Sequence, residues 1–244
     1  MSVPDIHART RLLLGDDVLY RLRSAKIILF GVGGVGSWCA EGLVRTGVEH
    51  LTLVDSDRIA ASNVNRQLMA TVDTIGQQKV DALRDHLLRV NPQASITALC
   101  REYTAETAAD FDLDSYDYVI DCIDALKDKI TLILRASASR ATFFSSMGAA
   151  LKVDPTQIRV TEFFSVRGCP LGSMLRKRIR QGGVLPSKPF LCVYSEELRP
   201  NLGASPEDDP GHGKNALNGS IAPITAIFGF TLSGLVIRDL CGRS

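Results

Sequence analysis

Residues Lys26–Asp57 read KIILFGVGGVGSWCAEGLVRTGVEHLTLVDSD, and this stretch decides the fold. Ile27–Phe30 is a short apolar run rich in β-branched residues, the pattern of a buried strand. Gly31, Gly33, Gly34 and Gly36 follow at once. Trp38, Leu43 and Val44 then keep helical spacing up to a stop at Gly47. Leu51–Val54 is a second apolar strand, and it ends on Asp55. The whole is a βαβ unit with a glycine-rich first turn and an acid at the tip of its second strand. Glycines let backbone N–H groups approach a phosphate without interference from Cβ. The helix N-terminus behind them offers unpaired donors and a positive dipole end. Asp55 sits where a carboxylate can accept from ribose hydroxyls. A glycine turn that served packing alone would not need all four features in this order, so a nucleotide site is the first expectation.

Working outward, the chain has 244 residues, 45% hydrophobic and 23% charged, with a net charge of +1. That suffices for one large α/β domain. The expected architecture is a Rossmann-like open, mostly parallel sheet with helices on both faces and an antiparallel C-terminal extension. Residues 1–150 form the nucleotide-binding half. Residues 151–244 form a substrate and dimerisation half, with a mobile loop near 196–220. A net charge so close to zero excludes a global field for nucleic acid, so any basic footprint is local and DNA is not an expected partner. The six cysteines show no C-x-x-C pairing, and the start of the chain shows no signal-peptide pattern. Together these point to reduced thiols and a cytoplasmic protein. Residues 221–237 (IAPITAIFGFTLSGLVI) are apolar but short for a span and interrupted by Pro and Gly. They read as a buried helix closing the core, with a membrane-associated form as the alternative.

In order along the chain, residues 5–23 read as a helix with Leu12–Leu14, Val18, Leu19 and Leu22 on its apolar side. Its arginines form a solvated face, from which one could reach a phosphate in a neighbouring subunit. The run from Asp55 to Gln67 is too polar for a core, yet it follows a buried strand directly. The carboxyl ends of parallel strands border the ligand crevice. Asn63 and Arg66 there suit phosphate oxygens or sugar, Gln67 positions the segment, and Asp57 joins Asp55 in the cofactor set. Lys79 opens a helix that runs to Val90. The macrodipole disfavours a cation at that end, which suggests an anionic partner such as a nucleotide phosphate. Ile96–Leu99 reads as a strand, Ala105–Phe111 as a short helix and Tyr116–Ile120 as a strand. Asp121 then satisfies local backbone donors. Asp124 is suited to Mg²⁺, with water and nucleotide oxygens completing the shell. A helix over 126–139 and strands at Thr142–Ser146, Gln157–Phe163 and Phe190–Tyr194 follow. Between the last two, Arg167, Arg176, Lys177, Arg178 and Arg180 cluster on an expected helix. They are either a solvated face or a contact for a nucleic-acid backbone.

The series GVGGVG, LVDSD, SNVNRQ, GQQKV and DCID, in that order, resembles the ubiquitin-activating-type adenylating enzymes, the superfamily of ThiF, MoeB and HesA. The resemblance covers most of the chain. The later stretches SSMGAALKVDPTQIRVTEF and CPLGSMLRKRIR look like its tRNA threonylcarbamoyladenosine dehydratase branch. That resemblance implies ATP as the nucleotide, with Gly31, Gly33, Gly34 and Gly36 lining its phosphates. It implies Asp55 at the ribose, Asn63, Arg66 and Lys79 as phosphate ligands, and Asp124 with Mg²⁺. It further implies a homodimer in which each N-terminal helix lends an arginine to its mate, Arg9 by spacing and Arg11 as the alternative. Asp124, Arg66, Lys79 and Arg9 are thereby the expected catalytic set. A tRNA substrate and a sulfur-transfer or cysteine desulfurase partner are expected on the same ground. The implied reaction is ATP-dependent cyclisation of N6-threonylcarbamoyladenosine through an adenylated carboxylate.

Three alternatives stand beside it: adenylation of a ubiquitin-like sulfur carrier, a NAD-dependent oxidoreductase, and a non-catalytic tRNA-binding module. The chain departs from many relatives in lacking the paired C-x-x-C zinc site and any evident catalytic cysteine. Cys169 and Cys192 are the possible acceptors, but neither has an activating neighbour in the sequence.

Overall fold

The computed structural model describes residues 5–203 and 218–242. The strands are β1 (Lys26–Phe30), β2 (His50–Val54), β3 (Ser95–Leu99), β4 (Tyr118–Asp121), β5 (Thr142–Ser146), β6 (Ile158–Glu162) and β7 (Leu191–Ser195). They form one sheet in the order β3-β2-β1-β4-β5-β7-β6. Every neighbouring pair is parallel except β6 with β7. The antiparallel character of the extension is thus confined to β6, and β7 still runs with β5. Because β7 pairs with β5, the two sequence halves share a single sheet. The strand order reverses direction between β1 and β4, and at such a switch point the carboxyl ends of the strands open a crevice.

The helices are α1 (Ala8–Ser24), α2 (Gly34–Thr46), α3 (Lys79–Val90), α4 (Leu126–Ala138), α5 (Pro170–Gly182) and α6 (Ala222–Gly242). β1 shows how the faces are divided. Ile27 and Leu29 join a core with Leu43, Val80 and Phe228 of α2, α3 and α6. Ile28 and Phe30 point the other way, to a core with Leu132, Ile133, Leu175 and Ile179 of α4 and α5. A strand buried on both faces must be apolar throughout, which is why this one reads as an unbroken run.

Two local expectations are corrected. In α1 the backbone leaves helical geometry at Gly15 (φ 81°, ψ 169°), so the two halves of the helix do not share one stripe. Val18, Leu19 and Leu22 are buried, but Leu12 and Leu13 are 88% and 82% exposed. Ala105–Phe111 is reduced to a single 3₁₀ turn at Ala108–Asp110. There the Thr107 hydroxyl accepts from the Thr104 N–H at 2.9 Å and donates to the Glu102 carbonyl at 2.8 Å. Such local side-chain bonds compete with helix propagation.

The apolar C-terminal stretch forms α6, which is long and apolar enough by composition to cross a membrane. In this structure it lies along α2, with Ile224, Phe228, Leu232 and Val236 in the core. The approach is close: a Cβ on Gly42 would stand 2.4 Å from Ser233 Oγ, and one on Gly229 would stand 2.5 Å from the Val35 carbonyl oxygen. The expected loop near 196–220 falls largely on residues 204–217, which lie outside the described residues.

Candidate active site

The four glycines of the first turn do different things. Gly31 has φ +81°, and a Cβ there would stand 2.8 Å from the Cys122 carbonyl oxygen. A Cβ on Gly36 would stand 1.9 Å from the Gly31 carbonyl oxygen. Both are therefore required by the fold. Gly34 abuts the Thr225 side chain, whereas a Cβ on Gly33 would meet only the Gln67 amide at 3.7 Å. Gly33 is thus the position whose missing side chain clears space for a ligand. It also caps α2 without a side-chain hydrogen bond, leaving the N–H groups of the first turn open to an anion. Replacing Gly36 with alanine should force the turn apart. We expect a loss of roughly 10²-fold in any reaction that needs the nucleotide in register. Nucleotide titration of the folded variant checks this, and wild-type affinity would refute it.

Asp55 is built into the same turn. Its carboxylate accepts from Val32 N–H at 2.8 Å and from Asp57 N–H at 2.9 Å. Burial pushes its pKa up, against the opposing pull of Lys79 and of these backbone donors. The carboxylate is fixed in position, with lone pairs left over for hydroxyl donors.

The segment after β2 is tied down on three sides. Asn63 accepts from Ala60 N–H at 3.0 Å and closes a 3₁₀ turn at Ala61–Asn63. The Arg66 carbonyl accepts from Trp38 Nε1 of α2 at 3.1 Å and from Thr225 Oγ1 of α6 at 3.2 Å. The Arg66 guanidinium donates to the Ser62 carbonyl and to Asn65 Oδ1. Gln67 is 6% exposed, and its Oε1 is a buried acceptor with no hydrogen-bond partner. A buried acceptor left unsatisfied costs about 1–3 kcal/mol. With its amide facing Gly33, this side chain fits a site that is completed by a bound donor-bearing ligand.

Lys79 is where the sequence expectation needs refinement. The anion that answers its position at the head of α3 is Asp57, whose carboxylate lies 2.7 Å from Lys79 Nζ. The Lys79 side chain is 9% exposed and that of Asp57 66%. Asp57 thus acts in this structure as the counter-ion that holds the lysine at the crevice rather than as an isolated polar group.

On the other side of the switch point, Asp124 is exposed just beyond β4. Below it lies a feature that sequence reasoning missed. Asp121 and Lys129 form an ion pair at 2.7 Å with both side chains fully buried. Asp121 also accepts from Ser145 Oγ at 2.7 Å and from Ile123 N–H at 3.0 Å. Lys129 donates to the Ile123 carbonyl at 2.9 Å. The pair clasps the turn that presents Asp124. Asp121 does satisfy a backbone donor, as expected, but its main partner is Lys129. The available signal was periodicity: Lys129 falls on the same helical stripe as Leu132, Ile133 and Ala136.

Arg9 is not brought to this crevice within its own chain. The His7 ring packs against the Val44 carbonyl at 3.4 Å, so the start of α1 lies at the far end of α2. The 13 residues of α2 span about 20 Å. Arg11 is engaged locally, with Asp5 at 2.6 Å and Asp16 at 3.0 Å, while Arg9 is exposed. Cys169 and Cys192 are both buried. Burial pushes the Cys192 thiol well above its ordinary pKa, and Cys169 Sγ caps α5 by accepting from Gly172 N–H at 3.5 Å. Among the described residues there is no cluster of three or more His, Cys, Asp or Glu suited to a metal. Arg167, Lys177, Arg178 and Arg180 are exposed, just before and on α5, and form no part of this constellation.

A glycine-cornered turn at a topological switch point, a backbone-anchored Asp55 and a buried Lys79 paired with Asp57 fit a nucleotide-binding α/β protein. The sequence pattern of the ThiF family matches residues 7–244, and the chain belongs to that family. It is 32% identical over 239 residues to the tRNA threonylcarbamoyladenosine dehydratase of Bacillus subtilis, covering 96% of this chain and 93% of that one. It is 36% identical over 253 residues to the enzyme of the same name from Escherichia coli, again covering 96% and 93%. The crystal structure of E. coli tRNA N6-threonylcarbamoyladenosine dehydratase, TcdA, in complex with ATP superimposes with a TM-score of 0.85. The two are 31% identical, and the match covers 98% of this chain and 97% of that one.

Proposed function

We propose that this protein is an ATP-dependent tRNA threonylcarbamoyladenosine dehydratase. The observation that carries the reading is the pairing of two half-sites across the switch point. The Gly31 turn packs directly on the Cys122 carbonyl, two residues before Asp124. That packing supports a reading in which the glycine turn and the segment carrying Asp124 border one crevice.

The chemistry follows from the poor reactivity of a carboxylate, whose oxygen is a poor leaving group. Attack of the substrate carboxylate on the α-phosphorus of ATP forms a P–O bond and expels pyrophosphate. AMP then becomes the leaving group at the acyl carbon. Arg66 and Lys79 stabilise the charge that gathers on the phosphates, and Gly33 lets the backbone approach them. Asp124 would hold Mg²⁺, which when bound neutralises phosphate charge. A single carboxylate fits that ion, because Mg²⁺ commonly takes one or two protein ligands and completes its shell with water and phosphate. Ring closure uses a nucleophile already present in the modified nucleoside, and such prepositioning is worth up to roughly 7–11 kcal/mol. No enzyme thiol is then needed, in keeping with the burial of Cys169 and Cys192. Cys169→Ala and Cys192→Ala should each retain dehydration within about twofold, because a buried thiol does not serve as an acyl acceptor. Loss of turnover in a folded variant would favour the sulfur-carrier reading instead.

We further infer a homodimer. Arg9 is exposed about one helix length from its own crevice, beside the exposed Leu12 and Leu13, a placement suited to completing a partner's site. A tRNA substrate sets the reaction in the cytoplasm. The deciding experiment incubates the protein with ATP, Mg²⁺ and modified tRNA. Loss of one water from the nucleoside, matched by AMP release, is expected. Nucleotide binding without either product would overturn the assignment.

A further inference from the structure

Helix α5 departs from the charge pattern of the rest of the molecule. Between Glu162 and Glu196 there is no Asp or Glu, while Arg167, Arg176, Lys177, Arg178 and Arg180 all fall there. Several cations elsewhere are answered locally: Arg45 by Glu41, Arg84 by Asp81 and Asp85, Arg23 by Glu49. None of the ion pairs among the described residues involves the five cations of this stretch. A merely solvated helix usually carries opposite charges three or four residues apart. Here like charges are gathered, at a cost in repulsion.

The placement of the helix gives that charge a direction. Its first turn meets the end of β5, where a Cβ on Gly148 would stand 3.7 Å from Leu171 Cβ. Gly168, just before α5, packs on Glu196 at the end of β7. These are carboxyl ends of strands, so α5 begins at the crevice rim. Its later turns lie over Phe163 and Phe164, which follow β6 at the opposite edge, since Glu162 pairs with Leu191. Arg176 turns inward to the Phe163 carbonyl at 3.4 Å. The Arg180 guanidinium sits over the Phe164 ring at 5.8 Å, held in place by that stacking. Lys177, Arg178 and Arg180 are exposed. The cations of the 13-residue helix are thus gathered in its third turn, Arg176–Arg180, roughly 10 Å along the axis from the rim, with Arg167 alone at the rim end.

We propose that the outer face of α5, with Arg167 at its upper end, is the track on which the phosphodiester backbone of the tRNA lies while its modified base enters the crevice. The proposal rests on the dehydratase reading above. Phosphate contacts fix the register of an RNA without reading its sequence. Arg167 at the rim and the cluster of Lys177, Arg178 and Arg180 below it, exposed and without acidic partners, provide two such points of contact on the approach to the crevice.

The test compares wild-type protein with the triple variant Lys177→Ala/Arg178→Ala/Arg180→Ala. The control, Arg21→Ala/Arg89→Ala/Arg238→Ala, removes the same charge elsewhere. In the α5 variant the KM for modified tRNA should rise about tenfold or more at moderate salt, with kcat at saturating tRNA and affinity for ATP unchanged. The slope of log affinity for tRNA against log salt should become shallower by about one for each phosphate no longer neutralised. The control should match wild type. An α5 variant with wild-type KM and salt slope overturns the proposal. Wild-type protein that binds tRNA through this face but removes no water keeps the track and overturns the reaction. Retained ATP binding shows that the variant is folded.

Discussion

Replacing Asp124 with alanine should abolish ATP-dependent dehydration, lowering turnover by roughly 10³-fold or more, while leaving the fold intact. The side chain is exposed beyond β4, and the turn beneath it is held by other groups. Its removal therefore deletes one carboxylate and little else. The loss should appear in ATP–pyrophosphate exchange measured with the modified nucleoside, because the carboxylate acts where charge builds in the first step. Thermal unfolding should match wild type within about half a kcal/mol, as for other exposed substitutions. Wild-type exchange in the variant would remove Asp124 from the mechanism.

Lys129→Met should act in the opposite way, through stability. Both members of the Asp121–Lys129 pair are fully buried, so removing the lysine leaves a carboxylate in the dry interior. Breaking such a pair from one side costs about 3–5 kcal/mol, a large share of a typical domain's stability. Denaturant titration measures it. A deficit below about 1 kcal/mol would show that the pair contributes less than its geometry implies.

The contrast between these two acids shows what a reader of the sequence could and could not see. Asp121 and Asp124 stand three positions apart after the same strand, and both could be placed at the crevice by spacing. What separates them is a lysine on the following helix, and its partner could be found only once α4 was docked. The glycine turn was legible because backbone geometry dictates it: Gly31 and Gly36 have no alternative at those positions, and a two-sided strand must be apolar. The pairing of Lys79 with Asp57 was not legible, because 22 residues separate them and the chain returns only through its own fold. In α1 the hydrophobic pattern reads as one stripe, since a lone glycine in a helical pattern does not announce a break. Gly15 turned Leu12 and Leu13 outward. The helix expected around Ala108–Asp110 was lost to threonine hydroxyls, a competition that apolar periodicity does not register.

The docking of α6 on α2 also bears on how the protein is made. Thr225 steadies the Arg66 carbonyl, and Gly229 and Ser233 seat the helix against the one that begins at the phosphate turn. A chain still on the ribosome, with residues beyond 221 not yet emerged, would have all seven strands and its glycine loop but no brace behind that loop. Competence to handle ATP would then await α6, which on leaving the exit tunnel locks onto a segment translated long before.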